Sequence, residues 1–161
     1  PYNDKALSDR VLALENKPST GGAQTQDTGW ITISENEALH DNVVKVRRIN
    51  DMVHVSLSNP DYKGLLLELD SNENCVILAN KEISKGFTPM KAIISPVLST
   101  EDDVKANSNR TSNNGLAIFK VENNKVTLKV YSDDISSGSP TEMYINNFSY
   151  FTEDPFPTNL N

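Results

Sequence analysis

Val43-Val44-Lys45-Val46-Arg47-Arg48-Ile49-Asn50-Asp51-Met52-Val53-His54-Val55-Ser56-Leu57-Ser58 decides the fold class of this chain. From Val53 to Ser58, apolar and polar residues alternate, as they must in a strand with one buried and one wet face. Asn50-Asp51 divides two β-rich runs. Asx residues suit a tight hairpin there, because their side chains bond the local backbone and tolerate left-handed conformations. The device recurs at Asn123-Asn124, ahead of the alternating Val126-Thr127-Leu128-Lys129-Val130. Working outward, the pattern predicts strands over Trp30–Ser34, Val43–Ile49, Val53–Ser58, Leu65–Leu69, Val76–Ala79, Lys91–Ser99, Leu116–Val121, Val126–Tyr131 and Met143–Phe151. Many short strands with frequent turns point to an all-β, antiparallel sandwich or barrel.

The first residues follow another period. Between Asp4 and Asn16 the apolar positions Leu7, Val11 and Leu14 are spaced by four and then three, the seam of a heptad. Asn3 or Asp4 can cap such a helix, and Lys17-Pro18 stops it. Isolated helices below about 12–15 residues are marginal in water. Two or three copies sharing the seam would bury it; a lone helix packed on the head is the alternative. Residues 1–17 are therefore expected as a coiled-coil stalk fragment, 18–28 as a flexible linker, and 29–161 as a β-sandwich head. The opening without Met leads us to expect the C-terminal part of a longer stalk protein.

At 161 residues, 37% of them hydrophobic, the chain is long enough for the head to bury its own core. The net charge is −7, and residues 1–20 add nothing to it, since Lys5, Arg10 and Lys17 balance Asp4, Asp9 and Glu15. The acidic excess sits on the head and argues against nucleic acid, whose phosphates call for clustered Lys and Arg. Lys45, Arg47 and Arg48 form the best basic cluster, expected on a solvated strand face. No apolar run approaches the roughly 20 residues of a membrane helix, so no membrane insertion is expected. The single cysteine, Cys75, can form neither an internal disulfide nor a zinc site and reads as a buried apolar thiol.

Signatures of catalysis and metal binding fail one by one. Asp70-x-Asn72-x-Asn74 begins like a calcium loop, but Cys75 stands where glycine is needed and Lys81 where a bidentate Glu belongs. It reads as an Asx-rich turn. His40 and His54 have no His or Cys at ligand spacing, and no nucleophile elbow, phosphate loop or dinucleotide fingerprint appears. Asp102-Asp103 and Asp133-Asp134 lie in polar stretches, whereas a glycosidase holds its two carboxylates at a set separation. No enzymatic activity, cofactor or metal is expected. Asn109-Arg110-Thr111 and Asn147-Phe148-Ser149 match the short N-glycosylation pattern, to which no function is attached. Trp30, the only tryptophan, opens the first strand beside the linker and reads as a core or inter-subunit anchor rather than a sugar platform.

A set of segments carries a resemblance through its order. Gly29-Trp30-Ile31-Thr32-Ile33 leads, then Val46-Arg47-Arg48-Ile49-Asn50-Asp51-Met52-Val53-His54-Val55. Ile83-Ser84-Lys85-Gly86-Phe87-Thr88-Pro89, Ser95-Pro96-Val97, Asn124-Lys125-Val126-Thr127-Leu128 and Phe148-Ser149-Tyr150-Phe151-Thr152 follow. This order resembles the C-terminal heads of phage tail-fibre and baseplate receptor-binding proteins, those of phages of Gram-positive, lactic-acid-type bacteria above all. It covers roughly residues 29–157, with a stalk in front. The resemblance implies a homotrimer with a β-sandwich head, in the virion's tail tip or baseplate. It implies non-catalytic attachment to host cell-surface polysaccharide, with upstream tail or baseplate proteins as further partners. Three weak sites on one stalk would bind strongly by avidity. A structural baseplate or fibre subunit that docks other virion proteins is one alternative, and a polysaccharide depolymerase another.

Strand parity supplies a candidate saccharide site. If the first five strands run as an up-and-down meander, loops Ser34–Asn42 and Asn59–Lys63 leave the same end, away from the stalk. They would bring together His40, Asp41, Asp61 and Tyr62: an imidazole, two carboxylates and an aromatic face. Arg110, in the aperiodic stretch Thr100–Gly115, is a further candidate. Ser132–Thr141 is a second such stretch, and long loops on a β scaffold are where binding functions sit. Leu7, Val11 and Leu14 are the expected oligomerisation residues.

Overall fold

The computed structural model describes residues 24–34, 40–70, 74–100 and 111–158. They are all-β. The strands are β1 (Ile31–Thr32), β2 (Val43–Ile49), β3 (Met52–Ser58), β4 (Leu65–Leu67), β5 (Val76–Glu82), β6 (Ile93–Thr100), β7 (Thr111–Glu122), β8 (Lys125–Ser132), β9 (Thr141–Tyr144) and β10 (Phe148–Phe151). Two antiparallel sheets result, one in the order β1-β2-β3-β10 and the other β4-β9-β6-β7-β8-β5. The stalk helix with Leu7, Val11 and Leu14, and Arg110, lie outside the described residues.

Local chemistry sets the hairpins. β2 and β3 pair from Val43↔Ser58 to Ile49↔Met52. Asn50 turns the corner at φ 51°, a left-handed conformation that asparagine tolerates. At the β7–β8 turn both central residues have positive φ, Asn123 at 51° and Asn124 at 64°, as a two-residue hairpin matched to strand twist requires. Alternation then sends Val44, Val46, Val53 and Val55 inward from the first sheet, and Phe119, Val126, Leu128 and Val130 inward from the second, into one core. Phe119 of β7 reaches across to β10, edge-on to Phe148 (centroids 5.4 Å apart) and tilted against Tyr150 (5.6 Å).

The chain departs from the expected path in four places. Only the first three strands meander; β4 leaves for the other sheet, where it pairs with β9. The predicted strand Met143–Phe151 is two strands, one in each sheet, because Met143 and Tyr150 must both be buried and the chain crosses between layers at Ile145–Asn147. Thr111–Gly115, expected as loop, extends β7, since the β6 ladder satisfies its backbone whatever the side-chain pattern. The linker ends early: Thr28 N donates to Arg48 O at 3.0 Å and Asn50 N to Gln26 O at 2.8 Å, so Gln26–Thr28 already lines β2.

This edge segment is pinned by charge. Asp27 takes both the Nε and Nη2 hydrogens of Arg47. That bond, helped by the Gly29 amide, holds the Asp27 carboxyl at about 2 against an ordinary 3.8. The folded value is the lower one. The pair's contribution is therefore complete above about pH 4 and lost as pH falls through about 2. Asp27→Asn should lower the melting temperature at neutral pH and cease to matter near pH 2; an offset that stays constant across that range would contradict the pairing.

Arg48, expected on the solvated face, is only 1% exposed. Alternation points it inward behind Val44 and Val46, where its guanidinium meets backbone carbonyls. Nε donates to Asn50 O (2.6 Å), Nη1 to Gly86 O (2.5 Å) and Pro155 O (3.1 Å), and Nη2 to Asp154 O (2.8 Å). The Phe156 ring lies 5.2 Å from its carbon. The Asp154 carboxylate accepts the Gly86 and Thr88 amides in return. Gly86 is required: its φ is 119°, and a Cβ there would stand 2.8 Å from Pro157 Cδ. Together these bonds clasp the first hairpin, the 86–88 turn and the C-terminal tail.

Candidate functional site

Asn59 follows directly on β3, and its buried side chain ties two loops together. Nδ2 donates to His40 O (2.7 Å) and Asn42 Oδ1 (3.0 Å). Oδ1 accepts the amides of Asp61 (2.9 Å) and Tyr62 (3.2 Å), an Asx turn. Asn42, also buried, donates to Leu66 O (2.5 Å) and accepts from Leu66 N (3.1 Å), so a side chain imitates strand pairing and holds this loop to β4. His40 and Asp41 both adopt positive φ, 51° and 58°. Left-handed non-glycine residues cost of order 1–3 kcal/mol each and persist where their surroundings over-determine them.

The structure thus brings His40, Asp41, Asp61 and Tyr62 into one corner. Their roles within it differ. Asp41 and Asp61 are exposed, as is Tyr62 at 49%. His40 is occupied: its Nε2 lies 2.9 Å from Glu68 Oε2. Glu68 Oε1 accepts the Gly138 amide at 2.7 Å, and Leu69 N donates to Ser136 O at 3.1 Å. The polar stretch Ser132–Thr141 therefore joins the corner. Chemically the corner offers an aromatic face, two solvated carboxylates and a fixed backbone. Carboxylates accept paired hydroxyls well, whereas three acids close together would repel an anionic ligand.

Sequence reasoning missed the residues that organise the corner. Asn59-Pro60-Asp61 did carry a turn signal. Nothing local marks Glu68, whose partners lie 28 and 70 residues away.

No known protein family, curated protein or solved structure matches this chain. The corner must therefore be read from its own chemistry. Among the described residues no three His, Cys, Asp or Glu side chains are grouped to hold a metal ion. Among the same residues no helix is long and apolar enough to cross a membrane.

Trp30 is corrected in part. It is 49% exposed and belongs to no core; it stands on the outer surface of the four-stranded sheet beside Arg47. Cys75 is buried, as expected.

Proposed function

We propose that this chain is the non-catalytic head of a phage receptor-binding protein, a homotrimer on a coiled-coil stalk that attaches the virion to host cell-wall saccharide. The observation that carries the reading is the Asn59-centred corner. A surface whose loops are already tied by side-chain hydrogen bonds loses little entropy when it takes a ligand. Its exposed groups, Tyr62, Asp41 and Asp61, are those that stack on and hydrogen-bond a hydroxyl-rich ring.

The full chain should bind intact cells of susceptible strains in a bacterial panel. Tyr62→Ala and Asp61→Ala should each weaken that binding about tenfold or more, the effect of losing roughly 1.4 kcal/mol per site. Neither should move the melting temperature, because the side chains lie outside the core. If both variants bind like the parent, the corner is not the receptor site. Light scattering that returns a monomer mass would remove the trimer, and release of oligosaccharide from host cell wall would favour a depolymerase.

A second reading has its own support. On the outer face of the six-stranded sheet, Ile94 pairs with Ile118, and Pro96 with Leu116, which pairs with Tyr131. Ile94 is 62% exposed and Leu116 48%. Such a row favours contact with other protein, either further copies or neighbouring virion subunits, and hence a structural role.

A further inference from the structure

The outer face of the four-stranded sheet carries a second recess, with different chemistry. Arg47, His54 and Ser149 are cross-strand partners on β2, β3 and β10. Trp30 stands at the edge, its ring centroid 5.9 Å from the Arg47 guanidinium carbon. With Ser56 and Asn147 these residues line an open groove of about 370 Å³. At about 3.3 Å per strand residue, it lies roughly 15 Å along β2 from the Asn59 corner.

The groove is built. Asp27 holds Arg47 through Nε and Nη2 and also accepts the Gly29 amide at 2.9 Å. Gly29, at φ 66°, makes the bend that sets Trp30 at the rim. His54 Nδ1 is 2.8 Å from Ser149 Oγ, and Asn147 Oδ1 accepts the Leu57 amide at 2.8 Å. These bonds orient each side chain and leave its other polar atom for a ligand: Arg47 Nη1, His54 Nε2, Asn147 Nδ2. The Ser56 hydroxyl adds a fourth.

The chemistry selects a class of ligand. A half-exposed indole offers a flat apolar face; beside it Arg47 Nη1 and Asn147 Nδ2 are donors, and the His54 ring nitrogen and the Ser56 hydroxyl can take either role. Asp27 already neutralises Arg47, so nothing here favours an anion. A purely apolar ligand would leave the donors unmatched. A pyranose ring has both features required: an apolar C–H face to stack and equatorial hydroxyls to accept.

We infer that this groove binds one neutral hexopyranose unit of a glycan, stacked on Trp30 and hydrogen-bonded through Arg47, His54 and Asn147. The inference rests on the saccharide reading above but concerns a separate place on the head.

Trp30 is the only tryptophan, so its fluorescence reports this groove alone. The full chain would be titrated with the methyl glycosides of glucose, galactose, N-acetylglucosamine and rhamnose, following Trp emission and backbone amide shifts. At least one glycoside should change the emission saturably and protect Trp30 from acrylamide. His54→Ala should raise the midpoint at least fivefold, an effect that Tyr62→Ala should not reproduce. A glycoside that shifts amides near Tyr62 but leaves Trp30 unchanged would overturn the groove and leave the saccharide reading standing. Silence at both places, with cell binding intact, would also overturn it while keeping the receptor function. A Trp30 already shielded from acrylamide in the free protein would mean that another copy covers the groove, and would overturn it too.

Discussion

An Arg48→Ala variant should lose about 3–5 kcal/mol of stability, the range expected when a buried, fully hydrogen-bonded charge is cut from its partners. The truncation strands the carbonyls of Asn50, Gly86, Asp154 and Pro155 and removes the cation from the Phe156 ring. For a domain of this size the melting temperature should fall by roughly 10 °C. Arg48→Lys should recover little, because an ammonium cannot reproduce the planar fork that reaches four oxygens at once. Calorimetry showing Arg48→Ala within about 2 °C of the parent would mean that water replaces the guanidinium without loss, and the clasp would be ornamental.

Phe119→Ala should cost about as much, roughly 3–5 kcal/mol, by another route. The ring is 1% exposed and touches Phe148 and Tyr150 of β10. Its loss leaves a cavity between the sheets and two unpartnered ring faces, and aromatic pairs add about 0.5–1.5 kcal/mol beyond buried area. Phe119→Leu should cost much less, since most of the volume remains. Urea unfolding would read both; equal midpoints for Phe119→Ala and the parent would mean that the two layers do not depend on this contact.

The hairpins were legible because their cause is local. Alternation in Val53–Ser58 and the Asx pairs at 50–51 and 123–124 act over a few residues, and the structure places turns at both. Arg48 was within reach of the same rule, since Val44, Val46 and Arg48 share a parity. The residue type concealed it: arginine is so seldom buried that a basic cluster suggested solvent. The split of Met143–Phe151 was out of reach, because which sheet each half joins depends on distant partners: Leu65 for Met143 and Val53 for Tyr150. The corner shows the same division. Its loops were found by parity over β1–β3. The Asx turn at Asn59 is local, but the bonds that tie the loops together run from Asn59 to His40 and from Glu68 to His40 and Gly138, and no local pattern announces them.

β10 closes the four-stranded sheet against β3, and His54 meets Ser149 across 95 residues. During synthesis, therefore, β3 emerges early while its neighbour on that side is still untranslated. Its open hydrogen-bonding edge waits for nearly the last strand, and pairing at such separation is slow to nucleate. An exposed strand edge on a nascent chain is an invitation to pair with the wrong partner. Emergence of β10, rather than any earlier event, becomes the moment at which the head can acquire its native topology. In polysomes carrying many growing copies, the hazard is strand exchange between neighbours.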